Sequence, residues 1–176
     1  VQVDSVGASR RFVALKQQLP QKGELQRRIA EAKQALRRKD LSEEEEQNAT
    51  FQLHVGTAVL QKLNSGAPPE MTIELQAIRV GEMVFIGHPF ELFNAIKKTV
   101  ERNVRPGKVF VVGYANDYKG YAPTADRYAL DGKEGRELCY AAHYVPLIRG
   151  DYCFDPAIGA TLAEAMTALA RQVNGG

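Results

Sequence analysis

The chain has 176 residues, enough for one domain with a substantial core, and its 44% hydrophobic and 25% charged residues are ordinary for a globular protein. A net charge of +2 gives no electrostatic case for nucleic-acid binding. No apolar run is long enough to cross a bilayer.

The cysteines and the start of the chain leave the cellular compartment open. Cys139 and Cys153 lack the CxxC spacing of a metal site, so they form either one disulfide in an oxidising compartment or two thiols. Residues 48–50 (Asn-Ala-Thr) form a glycosylation sequon, a triplet that also arises by chance. The chain begins at Val1 without a secretory signal pattern, as a mature, trimmed or excised chain would.

After short β-prone pieces, the first predicted feature is a helical hairpin over residues 20–66. Apolar residues recur at helical spacing over 24–39, and charged residues fill most other positions. Ser42 and Glu45 form a capping-box pattern that begins a second helix, which we expect to end at Gly66. The charged face of the first helix is most simply a solvated face. A partner-binding coiled coil is the alternative, which the short apolar seam disfavours.

A β-α-β unit is predicted next, within residues 71–124. Alternation over 71–77 predicts a half-buried strand, and the apolar run 83–86 predicts a fully buried one. A helix over 90–103 and a second buried strand over 109–112 follow. Such a unit makes its two strands parallel, so the residues after both strands meet at the carboxyl edge of the sheet.

The remainder, residues 125–176, is predicted to be irregular until an amphipathic helix over 161–172. There are no internal repeats and no low-complexity tract. We therefore predict an α/β fold, with a mixed sheet, a β-α-β unit and flanking helices that include the hairpin. Residues 1–176 are expected to form a single unit.

Chemically useful side chains follow both strands of the β-α-β unit. Glu91 follows the first strand, while Asn116, Tyr118 and Tyr121 follow the second, so a carboxylate and a polar, aromatic loop are expected to converge. Each also has a structural interpretation. An acid in the first turn of a helix is favoured by the helix dipole, the tyrosines cap a sheet edge, and asparagine forms turns. His88 is alternatively a loop histidine bonded to the backbone.

Two stretches resemble the neutral ceramidase family and its bacterial ceramidase-like relatives. The run 77–93, with Gly-His-Pro-Phe-Glu at 87–91, is similar to a family strand that ends in Gly-x-Pro-Gly-Glu. The run 111–124, with Tyr-Ala-Asn-Asp-Tyr-Lys-Gly-Tyr-Ala-Pro-Thr at 114–124, is similar to the family's Tyr-Ala-Asn-x-Tyr-x-x-Tyr-x-Pro-Thr. The spacing between the stretches also fits, and the resemblance is strong over 75–128.

The resemblance implies a zinc-dependent amidohydrolase that cleaves the N-acyl amide bond of a ceramide-like lipid with metal-activated water. In that family two His, one Glu and one Tyr hold the metal, and Glu91 and Tyr121 match the last two. We further predict that Glu91, Tyr121 and His88 are catalytic and that three more residues bind substrate: Asn116, Tyr118 and Lys133.

The two histidine ligands are expected from an N-terminal part of the same domain, outside this chain. The chain is thus predicted to be an incomplete, C-terminal portion of a larger catalytic domain, inactive alone. The resemblance further implies an extracellular or periplasmic location, an N-acyl lipid or amide substrate, and association with a membrane surface.

Departures from the family pattern favour an alternative. Phe90 stands at the motif glycine, His88 at an apolar position, and Lys133 at a family tyrosine implied to assist at the reacting carbonyl. A catalytically inactive ceramidase-like binding or assembly module is therefore the second hypothesis, and a self-contained binding domain is the third. His54, His88 and His143 match neither histidine-ligand motif, and His54 and His143 are predicted to be structural or exposed.

Overall fold

The computed structural model describes residues 5–104, 108–129 and 139–174. In chain order its elements are β1 (Val6–Lys16), α1 (Lys22–Ala35), α2 (Glu43–Asn64), β2 (Glu70–Val80), β3 (Met83–Gly87), β4 (Glu91–Leu92), α3 (Asn94–Val104), β5 (Val109–Val112), β6 (Tyr121–Ala122), α4 (Val145–Ile148) and α5 (Ile158–Asn174). A 3-10 turn at Ala125–Ala129 and a π-helical turn at Tyr140–Tyr144 lie in the segment predicted to be irregular. No helix in the described ranges is long and apolar enough to cross a membrane.

The main sheet contains four strands in the order β1-β2-β3-β5. β1 pairs with β2 and β2 with β3 in antiparallel fashion, whereas β3 and β5 run parallel. Helix α3 forms the crossover between the parallel strands, so the predicted mixed sheet with a β-α-β unit is confirmed. Both parallel strands end at the same edge, which is where the two motif stretches lie.

The hydrophobic core lies between α3, α5 and one face of the sheet, here called the inner face. A Cβ at Gly159 would lie 2.8 Å from Ile96 Cδ1, so the glycine lets α5 approach α3 closely. Helix α5 begins at Ile158, before the predicted residue 161. The central strands and both helices contribute the buried side chains Ile73, Leu75, Ala77, Val84, Ile86, Ile96, Val100, Val109, Leu162, Met166 and Leu169.

The opposite side of the sheet, here called the outer face, is largely open in the described part of the chain. Along β3, Val84 and Ile86 are buried, whereas Phe85 is 39% exposed. The prediction of two fully buried strands is therefore wrong. Side chains along a strand point alternately to the two faces of the sheet, and helices cover only one of these faces. The outer face carries the exposed apolar residues Val6, Phe12, Ile78, Met83, Phe85, Phe110 and Val112.

The helical hairpin formed by α1 and α2 is confirmed. The Glu45 N–H donates to Ser42 Oγ at 3.2 Å and the Ser42 N–H donates to Glu45 Oε2 at 2.8 Å, which completes the predicted capping box. Helix α1 ends at Ala35, four residues before the predicted end, and α2 ends just before Gly66. A salt bridge of 2.6 Å between Lys62 and Asp151 ties α2 to the segment that precedes α5.

The helix predicted from Phe90 begins instead at Asn94. Residues 91–92 form β4, which pairs in parallel with β6. The Glu91 N–H donates to the Gly120 carbonyl at 2.9 Å and the Phe93 N–H to the Ala122 carbonyl at 3.1 Å. Because these bonds hold the backbone extended, the interpretation of Glu91 as an acid in the first turn of a helix is wrong.

Candidate functional site

Glu91 and Tyr121 lie side by side at the carboxyl edge of the sheet. They are register partners in the short parallel pair formed by β4 and β6. Facing residues of paired strands project their side chains to the same side, so this register brings the carboxylate and the phenol together. The structure thus places next to each other the two residues that the resemblance assigns as metal ligands.

The turn between β3 and β4 sets the position of Glu91. His88 Nδ1 accepts a hydrogen bond of 3.3 Å from the Phe90 N–H, and His88 is only 2% exposed. Burial lowers the pKa of His88 to about 4, so the imidazole is neutral at physiological pH. Phe90 is buried in the core, with its ring edge-on to Phe154 at 5.8 Å. Both residues therefore anchor the turn from inside the protein.

The two motif stretches are also bonded to each other through their backbones. The Ala115 N–H donates to the His88 carbonyl at 3.0 Å, and the Lys119 N–H donates to the Pro89 carbonyl at 2.7 Å. A Cβ at Gly113 would lie 2.8 Å from the Phe90 carbonyl oxygen, and only glycine tolerates that approach. The loop after β5 is consequently held against the turn that carries Glu91.

Three tyrosine hydroxyls surround the Glu91 carboxylate. The Tyr118 hydroxyl donates to Glu91 Oε1 at 3.5 Å. Hydrogen bonds to the same carboxylate raise the pKa of both Tyr114 and Tyr121 to about 12, because ionising either phenol would remove a donor and place two anions side by side. In the absence of a bound cation, Tyr114 and Tyr121 therefore stay protonated and act as donors.

Aromatic contacts fix the loop that carries these tyrosines. The rings of Tyr114 and Tyr118 stack with centroids 5.5 Å apart, and the Arg149 guanidinium lies 5.1 Å from the Tyr118 ring centroid. Tyr114 and Asn116 have positive φ angles of 57° and 63°. Asparagine tolerates this left-handed conformation, but a tyrosine adopts it only when its surroundings impose it, as the stack and the bond to Glu91 do here.

The structure brings together Glu91, Tyr118 and Tyr121 and places the other predicted site residues differently. Asn116 lies in the same loop with an exposed side chain, and His88 is buried inside the turn. Lys133 lies outside the described residues. Of the two histidines predicted to be structural or exposed, His54 is exposed on α2, and His143 is half-buried with its ring 6.0 Å from Tyr128.

Sequence reasoning missed three neighbours of the site. Tyr114 lies within the quoted motif, but its contact with Glu91 depends on the positive φ. Tyr140, whose ring centroid is 6.1 Å from that of Tyr121, and Arg149 come from the segment after residue 138, which is distant in sequence. An excess of tyrosine in two separate segments was the available signal. Cys139 and Cys153, whose pairing the sequence left open, are free thiols.

The site fits half of the zinc ligand set that the resemblance implies. A carboxylate and a phenol converge, and both are oxygen donors that zinc accepts. His88, which precedes Glu91 in the same turn, is buried, and its Nδ1 atom accepts a hydrogen bond from the backbone. Within the described ranges, no three His, Cys, Asp or Glu side chains are grouped to hold a metal ion.

Comparison with known proteins gives limited similarity. No family model matches the chain, and no curated protein matches it. Two solved structures are similar: a structure titled "Ceramidase complexed with C2" (22% identity, TM-score 0.43, 64% of this chain and 17% of that one) and neutral ceramidase from Pseudomonas aeruginosa (16% identity, TM-score 0.47, 96% and 29%). This chain thus spans less than a third of either.

Proposed function

We propose that this chain is part of a zinc-dependent amidohydrolase that cleaves an N-acyl amide bond, with Glu91 and Tyr121 as two of the metal ligands. The observation that carries the proposal is their register pairing across β4 and β6, in two stretches that resemble neutral ceramidases. Two imidazole ligands are required in addition, and they come from a polypeptide segment outside these 176 residues.

Residues of this chain hold and orient Glu91, one of the two proposed metal ligands. Tyr114 and Tyr118 donate to the Glu91 carboxylate and so fix its direction toward the site, as outer hydrogen bonds do for metal-ligating carboxylates. His88 and Phe90 hold the turn from inside the protein. A zinc ion, when bound, polarises a carbonyl and lowers the pKa of water to about 7.

An N-acyl lipid or N-acyl amine is the proposed substrate class. The exposed rings of Tyr114 and Tyr118 border the Glu91 carboxylate, and the exposed ring of Tyr140 lies 6.1 Å from that of Tyr121, so the site offers apolar faces with polar tips. Such rings suit an amphipathic substrate, and Asn116 and Lys133 stay proposed substrate contacts. Association with a membrane surface and an extracellular or periplasmic location are further proposals that rest on the sequence alone.

A catalytically inactive binding or assembly module is the second candidate. The observation in its favour is Phe90, which fills the motif glycine position and is buried in the core against Phe154. The turn is therefore built around a bulky anchor where the family pattern has none. Chelator-sensitive hydrolysis of any N-acyl lipid by the complete protein would rule this candidate out.

Zinc content of the complete protein tests the site. We expect about one zinc per chain in the wild type and loss of most of it in the Glu91→Gln, Tyr121→Phe double variant, because both oxygen ligands are altered. Elemental analysis measures the zinc, and hydrolysis of a fluorescent N-acyl lipid is followed in parallel, before and after chelation and zinc restoration.

Tyr144→Phe is the matched control, because Tyr144 packs against Phe51 and not against Glu91. This variant is expected to keep both zinc and activity. Stoichiometric zinc that survives the double substitution would refute the ligand assignment.

A further inference from the structure

An arginine takes a core-facing position at the edge of the sheet where β3 and β5 begin, here called the amino edge. The side chains of β2 that point to the inner face are Ile73, Leu75, Ala77 and Arg79. The first three are buried and apolar, so the alternation places a charge where the pattern predicts another core residue. Because Arg79 is the register partner of Val84, this charge lies directly beside the core.

Three hydrogen bonds fix the Arg79 guanidinium. Its Nε donates to the Val173 carbonyl at 3.0 Å, and its Nη1 donates to Ser5 Oγ at 2.7 Å and to the Gly81 carbonyl at 3.4 Å. A Cβ at Gly7, the register partner of Arg79, would lie 3.4 Å from Val173 Cγ2, so the glycine leaves room for α5 to reach the arginine. Among the described residues, the Nη2 atom of Arg79 has no hydrogen-bond partner. The cation is therefore held in place with donors to spare.

A cavity of about 490 Å³ lies at the amino edge and is lined by three cations. Arg79 is joined there by Arg171 from α5 and by Lys108, which precedes β5. The Arg171 Nη2 atom donates to the Asn103 carbonyl at 2.8 Å, and Lys108 pairs with Glu82 at 2.6 Å. An apolar wall is formed by Val84, Val104 and Val109. The volume is within the roughly 300–1,000 Å³ of small-molecule sites.

Capping of helix ends accounts for part of this charge but not for all of it. Arg79 and Arg171 bond carbonyls in the last turns of α5 and α3, where cations are favoured. Three cations and one carboxylate line the cavity, a net charge of +2. Each helix end contributes about −0.5 charge, so a charge of about +1 is left uncompensated. The cavity therefore attracts an anion even after its own carbonyls are counted.

We infer that this cavity binds the phosphate group of a phosphate monoester. Arginine presents paired N–H groups that match phosphate oxygens, and a monoester phosphate carries about −1.5 to −2 charge at pH 7, which suits the net charge of the lining. The cavity has room for more than the phosphate, and its valine wall suits an apolar part of the ligand. The site lies at the edge of the sheet opposite to Glu91 and is independent of the proposed zinc site.

Binding of glycerol 3-phosphate to the complete protein tests the inference. Calorimetry is carried out after chelation, so that no metal ion holds the phosphate. We expect one saturable site in the wild type and about tenfold weaker binding in Arg171→Gln and in Lys108→Gln, because each variant loses a charge-assisted partner. The matched controls Arg37→Gln and Lys33→Gln remove the same charges from exposed positions of the helical hairpin and should bind as the wild type does.

Glu82→Gln separates anion binding from a purely structural role of the cations. This change removes the one carboxylate of the lining, so we expect it to strengthen glycerol 3-phosphate binding several-fold. A structural role predicts no such gain. Lys108→Gln and Glu82→Gln alter half-exposed and exposed side chains, so they keep the test decisive should Arg171→Gln fold poorly.

Vesicles distinguish a lipid head group from a small soluble ester. Phosphatidylcholine vesicles with and without phosphatidic acid are sedimented with the wild type and with Arg171→Gln. Binding that requires phosphatidic acid and is lost in the variant would support the site and assign it to a lipid, whereas saturable binding of glycerol 3-phosphate assigns it to a small molecule. Absence of both, with the soluble ester tested to about 10 mM, would overturn the inference. Equal binding by Arg171→Gln, Lys108→Gln and the Arg37→Gln control would also overturn it.

Discussion

At the scale of single residues, the site depends on one carboxylate that three phenols share. Tyr114, Tyr118 and Tyr121 all reach Glu91, although they come from different points of one loop. The bonds that Tyr114 and Tyr121 donate disfavour ionisation of these two phenols. A cation bound between Glu91 and Tyr121 would reverse this balance, because it favours the phenolate.

Removing the negative charge at Glu91 should make the neighbouring tyrosines easier to ionise. We expect Glu91→Gln to lower the pKa of Tyr114 and Tyr121 from about 12 toward the ordinary 10, because a neutral amide no longer opposes ionisation. NMR of isotope-labelled tyrosine rings, recorded as a function of pH, measures both values. Glu44→Gln, an exposed acid on α2, is the control. An unchanged pKa for Tyr121 in Glu91→Gln would show that the hydrogen bond is absent.

His88 should give the fold a pH dependence. Its pKa is lowered from 6.5 to about 4 by burial, so the unfolded chain binds a proton in this window that the folded chain does not. The contribution of neutral His88 to the free energy of unfolding is therefore fully present above pH 6.5. It is lost as the pH falls toward 4, by up to roughly 3 kcal/mol. His88→Asn keeps an acceptor for the Phe90 N–H and should flatten this dependence in denaturant unfolding. The exposed control is His54→Asn. If the free energy of unfolding of this control and of His88→Asn depended on pH in the same way, the assignment would be contradicted.

At the scale of elements, the sequence predicted the β-α-β unit but not how its two loops join. Apolar runs separated by a helical pattern were enough to place Glu91 and Tyr121 at one edge. The extension of β4 was not predictable, since it depends on carbonyls of Gly120 and Ala122, some thirty residues away. For the same reason, local periodicity predicted that α3 begins at Phe90. The hydrogen bonds between β4 and β6 prevent the helix from starting there.

Close packing of the loop against the turn should make Gly113 sensitive to any side chain. Gly113→Ala would place a methyl group against the Phe90 carbonyl oxygen, and we expect a loss of about 1–3 kcal/mol together with altered Tyr121 signals. Gly23→Ala is the matched control, because Gly23 lies in α1 with no atom within 4 Å of the added Cβ. That change should leave the stability unchanged or slightly higher, because no atom crowds the added methyl group. Denaturant unfolding compares the two, and a Gly113→Ala variant as stable as wild type would disprove the close approach.

At the scale of the whole molecule, the described chain has a complete core on one side of its sheet and none on the other. Sequence alone did not distinguish these sides, because the β3 and β5 runs are apolar on both faces, as in a sheet covered twice. The exposed residues Phe85 and Phe110 therefore could not be distinguished by sequence from the buried residues Val84 and Val109.

The same isosteric substitution, made once on each face of the sheet, distinguishes the covered inner face from the open outer face. Val84→Thr places a hydroxyl on the inner face, where Val84 is 1% exposed, and we expect a loss of about 1–3 kcal/mol in the 176-residue chain, because the hydroxyl loses its water. Val112→Thr makes the same change on the outer face, at 44% exposure, and should cost less than about 0.5 kcal/mol while reducing binding of a hydrophobic dye. Equal costs at the two positions in the 176-residue chain would mean that the outer face is already covered there.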